Sequence, residues 1–301
     1  SRCTALDRHD ATAIEASGAL VRYDPDLVSQ AWLRRYHSQR RYSLIGIAHA
    51  SASTNAMQAI GDYLAAPLQS WDALICPSAA IRSAVAHIID GWGEYLGARF
   101  GADLSCPVQL PVIPLGVDTA RMATVTGEAK RQSQRRALAL SDNEIAILYV
   151  GRLNYVAKAN PLALFIAAEE TAKRSSRPVR VLLNGYFNDD VNEDAFMEAA
   201  NAILDVAKLQ IIRHGDEDFP DGVWAAADIF CSLSDNIQES FGLTPVEAMA
   251  AGLPSIVSDW NGYRESIRDG IDGYCIPTTM APPGTGGDIA VPDAGTGGAK
   301  E

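Results

Sequence analysis

The second half of the chain alternates uninterrupted apolar runs with longer segments of helical periodicity. The first run, Ile145 to Val150, ends in Gly151, and the helical segment Pro161 to Lys173 follows it. Four further apolar runs lie downstream, at 179–185, 209–212, 229–233 and 254–258, with helical segments at 191–207, 222–227 and 244–251 between them. Continuous apolar strands between helices indicate a parallel sheet covered on both faces. The pattern predicts a doubly wound, Rossmann-like α/β domain whose ligands bind beyond the carboxyl ends of the strands.

The first half of the chain is less regular. Short apolar runs at 43–48 and 73–76 are predicted to be buried strands. Helices are predicted at 11–20, 26–36 and 79–89. Ser78 precedes the last of these and is a suitable N-cap.

The 301 residues suggest two domains. A connector containing Pro and Gly spans 112–118, and the charge changes near it. Residues 1–115 hold 9 basic and 10 acidic residues, so nearly all of the net charge of −12 lies downstream. We therefore expect a partial N-terminal domain over 1–115, a C-terminal domain over 116–279 and a Gly/Pro-rich tail over 280–301.

Composition excludes several classes of protein. The acidic balance argues against nucleic-acid binding. No apolar run is long enough to span a membrane, and the start at Ser1 indicates an internal or processed N-terminus. The five cysteines are odd in number and widely spaced, which favours a reducing compartment and a cytoplasmic location. Asp216-Glu217-Asp218 is read as a solvated loop and not as a metal site.

Two acids flank a predicted helix start in the segment Glu239 to Glu247. Thr244 is a good N-cap and Pro245 a good first residue, so the helix is expected to begin near Pro245. The free N–H groups there form an anion site. Gly242 has no side chain and so lets a phosphate approach the backbone closely. The acids can accept hydrogen bonds from sugar and ribose hydroxyls. The alternative, a solvated acid and a first-turn acid that complements the helix dipole, is equally consistent.

Two cations follow the strand that ends at Gly151. Arg152 and Lys158 lie in the next loop and suit a diphosphate. They can also be ordinary surface cations.

Together these segments resemble glycosyltransferase family 4, the retaining GT-B sugar transferases. Glu239 and Glu247 match the E-x7-E spacing of that family. The other matching segments, in chain order, are Ile113-Pro114-Leu115-Gly116-Val117-Asp118, Gly151-Arg152-Leu153 with Lys158, Glu247-Ala248-Met249-Ala250-Ala251-Gly252-Leu253-Pro254 and Asp272-Gly273-Tyr274. The resemblance implies a GT-B-like α/β fold: two Rossmann-like domains facing a cleft, the N-terminal one abbreviated and the C-terminal one nearly complete.

The resemblance also implies a role for each site residue. Arg152 and Lys158 would clamp the diphosphate of a nucleotide-sugar donor, and Glu239 would contact the transferred hexose. The residues that would hold sugar, phosphate and ribose are Gly151, Phe241, Gly242, Leu243, Thr244 and Glu247. His49 would face the donor sugar from the first domain, although a His that merely caps a strand is an equal alternative. No cofactor and no essential metal are expected.

The acceptor implied is a glycan, a lipid or a small molecule. Four arginines and three aromatic residues could face an anionic acceptor or a membrane surface: Arg34, Arg35, Arg40, Arg41, Trp32, Tyr36 and Tyr42. A solvated helix end is the favoured alternative.

Two rival functions stay open. One is another GT-B enzyme, such as a nucleotide-sugar epimerase; a phosphorylase would need a lysine for pyridoxal phosphate, and none of the five lysines has a recognisable setting. The other is a catalytically incomplete module that binds nucleotide sugars, which the short first domain favours.

Overall fold

The computed structural model describes residues 5, 10–49, 51–155, 158, 160–213, 222–237 and 239–280. These residues fall into two units, one ending at Pro114 and the other beginning at Leu115. We call them the N-terminal unit and the C-terminal unit. The segment 281–301, predicted to be a tail, and the acidic triplet 216–218 lie outside the described residues.

The N-terminal unit contains a sheet of three parallel strands in the order β1-β2-β3. The strands are β1 (Ala19–Val21), β2 (Ser43–Ile47) and β3 (Ala73–Ile75). The helices are α1 (Ala11–Ser17), α2 (Val28–His37), α3 (Thr54–Gly61) and α4 (Ala79–Phe100), with a short 3-10 turn at Asp62–Leu64. An extended segment at 109–113 hydrogen-bonds along the free edge of β3. Strands β2 and β3 and the cap of α4 were predicted from the sequence, and the Ser78 hydroxyl indeed accepts from the Ile81 N–H at 3.1 Å.

Two predictions for this unit were wrong in extent. The helix expected over 11–20 ends at Ser17, because Gly18 adopts a φ of 75° and terminates it. Leu20 therefore lies in β1, a strand too short to give a pattern of its own. Helix α4 continues past 89 to Phe100 and stops at Gly101, whose φ is 66°.

A fully buried ion pair, Arg34 with Asp72, lies at the amino edge of the N-terminal sheet. The Arg34 guanidinium donates to both carboxylate oxygens of Asp72, at 2.6 and 2.7 Å, and to the Tyr42 carbonyl oxygen at 2.8 Å. Asp72 also accepts the N–H of Leu44 and of Gln69, each at 2.8 Å. Arg34 and Tyr42 are thus buried, which corrects their predicted place on an exposed basic surface.

The C-terminal unit contains six parallel strands in the order β6-β5-β4-β7-β8-β9. They are β4 (Ile145–Val150), β5 (Val179–Gly185), β6 (Lys208–Arg213), β7 (Ile229–Ser232), β8 (Ser255–Asp259) and β9 (Gly273–Pro277). Helices α5 (Thr119–Val125), α6 (Glu128–Ala137), α7 (Leu162–Arg174), α8 (Asp190–Ile203), α9 (Val223–Ala226), α10 (Leu243–Ala250) and α11 (Tyr263–Ser266) connect or precede them. The predicted doubly wound α/β fold is confirmed. Helix α8 ends at Ile203, before the predicted 207, and β9 was not predicted.

Apolar side chains cover both faces of this sheet. Alternate residues of β4 join different clusters: Ala146 and Leu148 pack on one face, and Ile147 and Tyr149 on the other. The strand order reverses between β4 and β7, because the chain first adds β5 and β6 on one side and then returns to the other. In doubly wound sheets, ligands bind beyond the carboxyl ends of the strands at this point. Within the described residues, no helix is long and apolar enough to cross a membrane.

Candidate active site

The loop that leaves β4 is held against the end of β5. The Gly151 N–H donates to the Asn184 carbonyl oxygen at 3.0 Å. Two residues on, the Leu153 N–H donates to the Tyr186 carbonyl oxygen at 2.9 Å, and the Leu153 side chain is buried. A Cβ atom on Gly185 would lie 1.9 Å from the Gly151 carbonyl oxygen, so only glycine fits there. Backbone contacts therefore fix the loop that carries the predicted diphosphate residues.

Arg152 lies between these two anchors. Its carbonyl oxygen accepts a hydrogen bond from the Tyr149 hydroxyl at 3.0 Å. Its side chain is half-buried and forms no ion pair with any residue that the structure describes. Burial raises the pKa of Tyr149; the charge of Glu239 raises it further, and the charge of Arg152 opposes it. Arg152 and Glu239 are therefore both within electrostatic reach of one phenol.

Lys158 and Glu239, which the sequence places 81 residues apart, are in direct contact. The Lys158 Nζ atom donates to the Oε2 atom of Glu239. The side chains are 22% and 9% exposed, so the pair is largely shielded from water. The Lys158 carbonyl oxygen accepts the Ser234 hydroxyl at 2.7 Å, which ties the lysine to the segment after β7. The structure thus brings together the two predicted residues from the carboxyl ends of β4 and β7.

Glu239 is held by its own backbone as well. Its N–H donates to the Asn236 carbonyl oxygen at 3.0 Å, and the same oxygen accepts the Trp260 indole N–H at 3.1 Å. The segment between β7 and α10 is therefore pinned to the segment after β8. Glu239 is therefore a buried carboxylate held by several contacts and not a solvated loop acid.

Helix α10 begins at Leu243, two residues before the predicted start. Its N-cap is Gly242, with a φ of 82°, so the prediction of Thr244 as the cap is wrong. Thr244 is the second helical residue, and its side chain hydrogen-bonds to Tyr263. The reason is steric: a Cβ on residue 242 would lie 1.9 Å from the Tyr263 ring, and only glycine readily adopts this φ. Pro245 still falls in the first turn, where its missing N–H costs nothing.

No side chain caps α10. The N–H groups of its first turn point along the positive end of the helix dipole, next to the turn that carries Phe241 and Gly242. Phe241 is buried, and Glu247 is half-buried one turn into the helix. The predicted anion site thus has its helix N-terminus, shifted by two residues.

His49 is the one predicted site residue in the N-terminal unit. It follows β2 at the carboxyl edge of that sheet, its side chain is exposed, and its N–H donates to the Ile47 carbonyl oxygen at 3.1 Å. Its predicted role in facing the donor sugar stays a prediction.

Sequence reasoning missed Tyr149, Ser234 and Tyr263, which hold the loops of the site. Asn261-Gly262 is a turn dipeptide, but the contacts of Tyr263 with other segments leave no trace in the sequence. Among the described residues, no group of three or more His, Cys, Asp or Glu side chains is arranged to hold a metal ion.

Residues 130–282, just over half of the chain, match the sequence model of the family named Glycosyl transferases group 1. The chain belongs to the glycosyl transferases group 1 family. The matched range contains every predicted site residue except His49.

Curated relatives agree with this membership. A D-inositol 3-phosphate glycosyltransferase of Rhodococcus erythropolis is 29% identical over 179 residues, 59% of this chain and 38% of the relative. Its counterpart in Geodermatophilus obscurus is 30% identical over 183 residues, again 38% of its length. The chain thus spans about two-fifths of the length of these group 1 relatives.

Solved structures share the fold. The Anabaena protein HepE in complex with UDP has a TM-score of 0.64 and 16% identity, over 89% of this chain and 67% of HepE. A glycosyltransferase from Rickettsia africae has a TM-score of 0.65 and 17% identity, over 89% of this chain and 65% of its own. At these identities the likeness concerns the fold, and it supports the GT-B-like α/β architecture.

Proposed function

We propose that this chain transfers a hexose from a nucleoside-diphosphate sugar to a hydroxyl group of an acceptor, with retention of the anomeric configuration, as members of glycosyltransferase family 4 do. The observation that carries the proposal is the Lys158–Glu239 pair, half-buried beside the uncapped N-terminus of α10. The pair lies at the point where the strand order reverses, and in this proposal the lysine is the cation for phosphate and the glutamate the acid for sugar hydroxyls.

The diphosphate is bound by local groups. Residues 116–301 hold 16 basic and 27 acidic residues, so the overall field of this half repels anions. Arg152, Lys158 and the first-turn N–H groups of α10 supply the compensating positive charge. Gly242 lets the backbone approach the phosphate without a side chain in the way.

The sugar and the ribose are bound by the acids and by the backbone of the turn. Glu239 accepts hydrogen bonds from hydroxyls of the hexose, with backbone groups of Phe241, Gly242 and Leu243 beside it. Lys158 screens the charge of Glu239, which lessens the repulsion between the carboxylate and the adjacent diphosphate. Glu247, in the first turns of α10, accepts from the ribose hydroxyls.

The transfer step needs charge stabilisation more than a nucleophilic side chain. The acceptor oxygen forms a bond to the anomeric carbon on the face from which the bond to the phosphate oxygen breaks. The acceptor proton passes to a phosphate oxygen, and the nucleoside diphosphate leaves. Arg152, Lys158 and the helix N-terminus stabilise the negative charge that develops on the leaving group. The role expected of His49, a contact with the donor sugar, is also part of this proposal.

A thermal-shift screen against UDP-, GDP-, ADP- and TDP-hexoses tests donor binding. A ligand that binds only the folded state raises the unfolding temperature by mass action. UDP-glucose is the first donor to test, because HepE was solved with UDP-glucose bound. A shift with one nucleotide class supports the proposal, and no shift with any of the four contradicts it.

A product assay on the same samples separates the rivals. Transfer to an acceptor supports the glycosyltransferase. An epimerised donor without transfer supports an epimerase. Binding without turnover supports a binding module.

We further propose that the N-terminal unit contacts an anionic membrane surface that carries the acceptor. The proposed contact residues are two Arg–Trp pairs, Arg35 with Trp32 and Arg40 with Trp71, which we call the Arg–Trp surface. The Arg35 guanidinium carbon lies 5.4 Å from the Trp32 ring centroid, and that of Arg40 lies 5.9 Å from the Trp71 centroid. Both tryptophans are more than one third exposed, and residues 32–41 contain four Arg and no acid. Exposed indole rings beside arginines suit the headgroup region of an anionic bilayer.

Co-sedimentation with vesicles tests this contact. The chain should bind phosphatidylglycerol vesicles and not phosphatidylcholine vesicles, and Trp71→Ala with Arg40→Gln should weaken that binding. Arg99→Gln is the matched control, because Arg99 also packs on an exposed aromatic ring. Equal binding by the double variant, or no preference for the anionic lipid, would contradict the proposal. The cytoplasmic location stays a prediction from the cysteines.

A further inference from the structure

Tyr263 is a fully buried polar side chain next to the candidate donor site. It is the first residue of α11, directly after the Asn261-Gly262 turn, and its side chain has no exposed surface. Its N–H donates to the Trp260 carbonyl oxygen at 3.0 Å, and Asn261 takes a φ of 42° to make the turn. The turn therefore directs the phenol inward, away from solvent.

The Tyr263 hydroxyl meets three polar side chains from three different segments. It lies 3.0 Å from the Ser232 hydroxyl at the end of β7 and 3.4 Å from the Oε2 atom of Glu239. It also hydrogen-bonds to the side chain of Thr244 in the first turn of α10. An ionised carboxylate can only accept, so the Tyr263 hydroxyl donates to Glu239 while the other hydroxyls donate to Tyr263. Burial and the charge of Glu239 raise the pKa of Tyr263 well above its usual value, so the phenol keeps this proton.

The two described donors to the Glu239 carboxylate donate to the same oxygen atom. Lys158 and Tyr263 donate to Oε2, and no residue that the structure describes donates to Oε1. Two donors on one oxygen fix the rotation of the carboxylate about its last torsion, which is otherwise broad. The second oxygen keeps its full capacity to accept hydrogen bonds, although the residue is only 9% exposed.

The Tyr263 ring has a separate role beneath the phosphate-binding turn. A Cβ on Gly242 would lie 1.9 Å from ring atom Cε1, so the ring packs directly against the Gly242 backbone. A Cβ on Gly262 would lie 2.4 Å from the Cα atom of Phe241, so the two turns are pressed together. The ring supports the backbone that meets the phosphate, and the hydroxyl holds the carboxylate.

We propose that Tyr263 is a positioning residue that orients Glu239, so that Oε2 is anchored by Lys158 and Tyr263 while Oε1 accepts a hydroxyl of the donor sugar. The proposal rests on the function proposed above. It makes the tyrosine hydroxyl responsible for recognition of the sugar and leaves the nucleoside diphosphate to other groups.

The substitution Tyr263→Phe separates the two roles, because it keeps the ring and removes the hydroxyl. We expect the affinity for UDP, measured by calorimetry, to stay within about two-fold of the unaltered chain. The kcat/KM for transfer from the UDP-sugar that the chain accepts should fall about 10-fold, since a hydrogen bond to a charged group is lost. Tyr274→Phe is the matched control, because Tyr274 is an exposed tyrosine on β9, and it should behave like the unaltered chain.

Two further variants sharpen the test. Ser232→Ala removes one donor to the Tyr263 oxygen and should lower kcat/KM less than Tyr263→Phe does. In a Glu239→Gln background, Tyr263→Phe should add almost nothing, because the two residues act as one unit. A merely structural role for Tyr263 would give independent losses in this double-mutant cycle.

The outcomes separate this proposal from the function beneath it. If the unaltered chain transfers sugar and Tyr263→Phe does so equally well, the positioning role is wrong and the function stands. The role is also wrong if Tyr263→Phe weakens UDP as much as it weakens the UDP-sugar. If the unaltered chain binds no nucleotide sugar at all, the proposed function fails, and the role of Tyr263 fails with it.

Discussion

Each unit of the molecule buries an ion pair at one edge of its sheet, and the two pairs differ in how the oxygens of the carboxylate are used. In the N-terminal unit, both oxygens of Asp72 are used, by Arg34 and by the N–H groups of Leu44 and Gln69. In the C-terminal unit, Glu239 receives both of its described partners on a single oxygen. The Arg34–Asp72 pair lies at the amino edge of the N-terminal sheet. The Lys158–Glu239 pair lies beyond the carboxyl ends of the strands of the C-terminal sheet. A closed pair serves the fold, and an open pair at the carboxyl edge is available to a ligand.

The largest expected effect comes from breaking the closed pair. Asp72→Ala leaves the fully buried Arg34 without a counter-charge, which should cost about 3–5 kcal/mol of unfolding free energy. Urea unfolding followed by tryptophan fluorescence measures this loss. Glu239→Gln is the comparison and should cost much less stability. Similar losses for both variants would remove the distinction between the pairs.

Removing the cations of the open site should affect turnover and leave the fold intact. Arg152→Ala and Lys158→Ala should each lower kcat by about 10²–10³-fold, the usual cost of losing one group that stabilises the leaving charge. Arg174→Ala and Lys208→Ala are matched controls, because both side chains are exposed and lie away from the site. Full turnover and full donor affinity in both site variants would refute the diphosphate clamp.

A smaller effect is expected from a substitution in the backbone turn at the start of α10, beside the Lys158–Glu239 pair. Gly242→Ala places a Cβ against the Tyr263 ring and forces a non-glycine residue to a φ of 82°. Such strain costs about 1–3 kcal/mol, and it should shift the first turn of α10. We expect a lower unfolding midpoint together with weaker UDP binding. Gly252→Ala has a similar φ of 78° but open space around it, and its UDP affinity should be unchanged. Equal UDP affinities for the two variants would contradict a role of the α10 turn in phosphate binding.

The smallest expected effect concerns Glu169, an acid of the C-terminal unit whose carboxylate is occupied by backbone N–H groups. Glu169 accepts the N–H groups of Asp205, Val206 and Ala207, which hold its pKa at about 2. Because the folded pKa lies below the ordinary value, Glu169 stabilises the fold above about pH 4.5. That contribution is lost as the pH falls towards 2.

The substitution Glu169→Gln should therefore lower the urea midpoint at pH 7, and the difference from the unaltered chain should shrink between pH 4.5 and 2. UDP-sugar turnover per folded molecule should stay the same at pH 7, since this acid lies outside the site. A difference in midpoint that is constant with pH would show that the charge of Glu169 does not act on stability.

The comparison also shows where sequence patterns are informative. The strand over 179–185 was predicted at its observed bounds because a strand buried on both faces is mostly apolar, and Arg180 and Asn184 are its only polar side chains. The candidate site residues that follow β4 and β7 were proposed because the two strands could be predicted from the sequence and ligands bind beyond strand ends. The three-residue strand β1 and the depth of Arg34 were not predictable, since the partner of Arg34 is 38 residues away.

The predicted start of α10 was wrong for a different reason. Thr-Pro is a strong local signal for a helix start, but the Tyr263 ring, brought in from after β8, fixes the turn at Gly242. The same long-range contact explains why the role of Tyr263 could not be predicted. Local signals decide where elements form, and contacts between distant segments decide how their ends are oriented.

The strand order has a consequence for how the site is made during folding. Strand β4 pairs with β7 only after the chain has traversed β5 and β6, so Lys158 and Glu239 meet across 81 residues. Closing so long a loop is entropically costly and is slow compared with local pairing. A folding intermediate that holds only β4, β5 and β6 would carry Arg152 and Lys158 but no acid and no helix N-terminus. Nucleotide affinity should thus arise in one late folding step, when β7 pairs with β4. Nucleotide binding then reports that the sheet has formed completely.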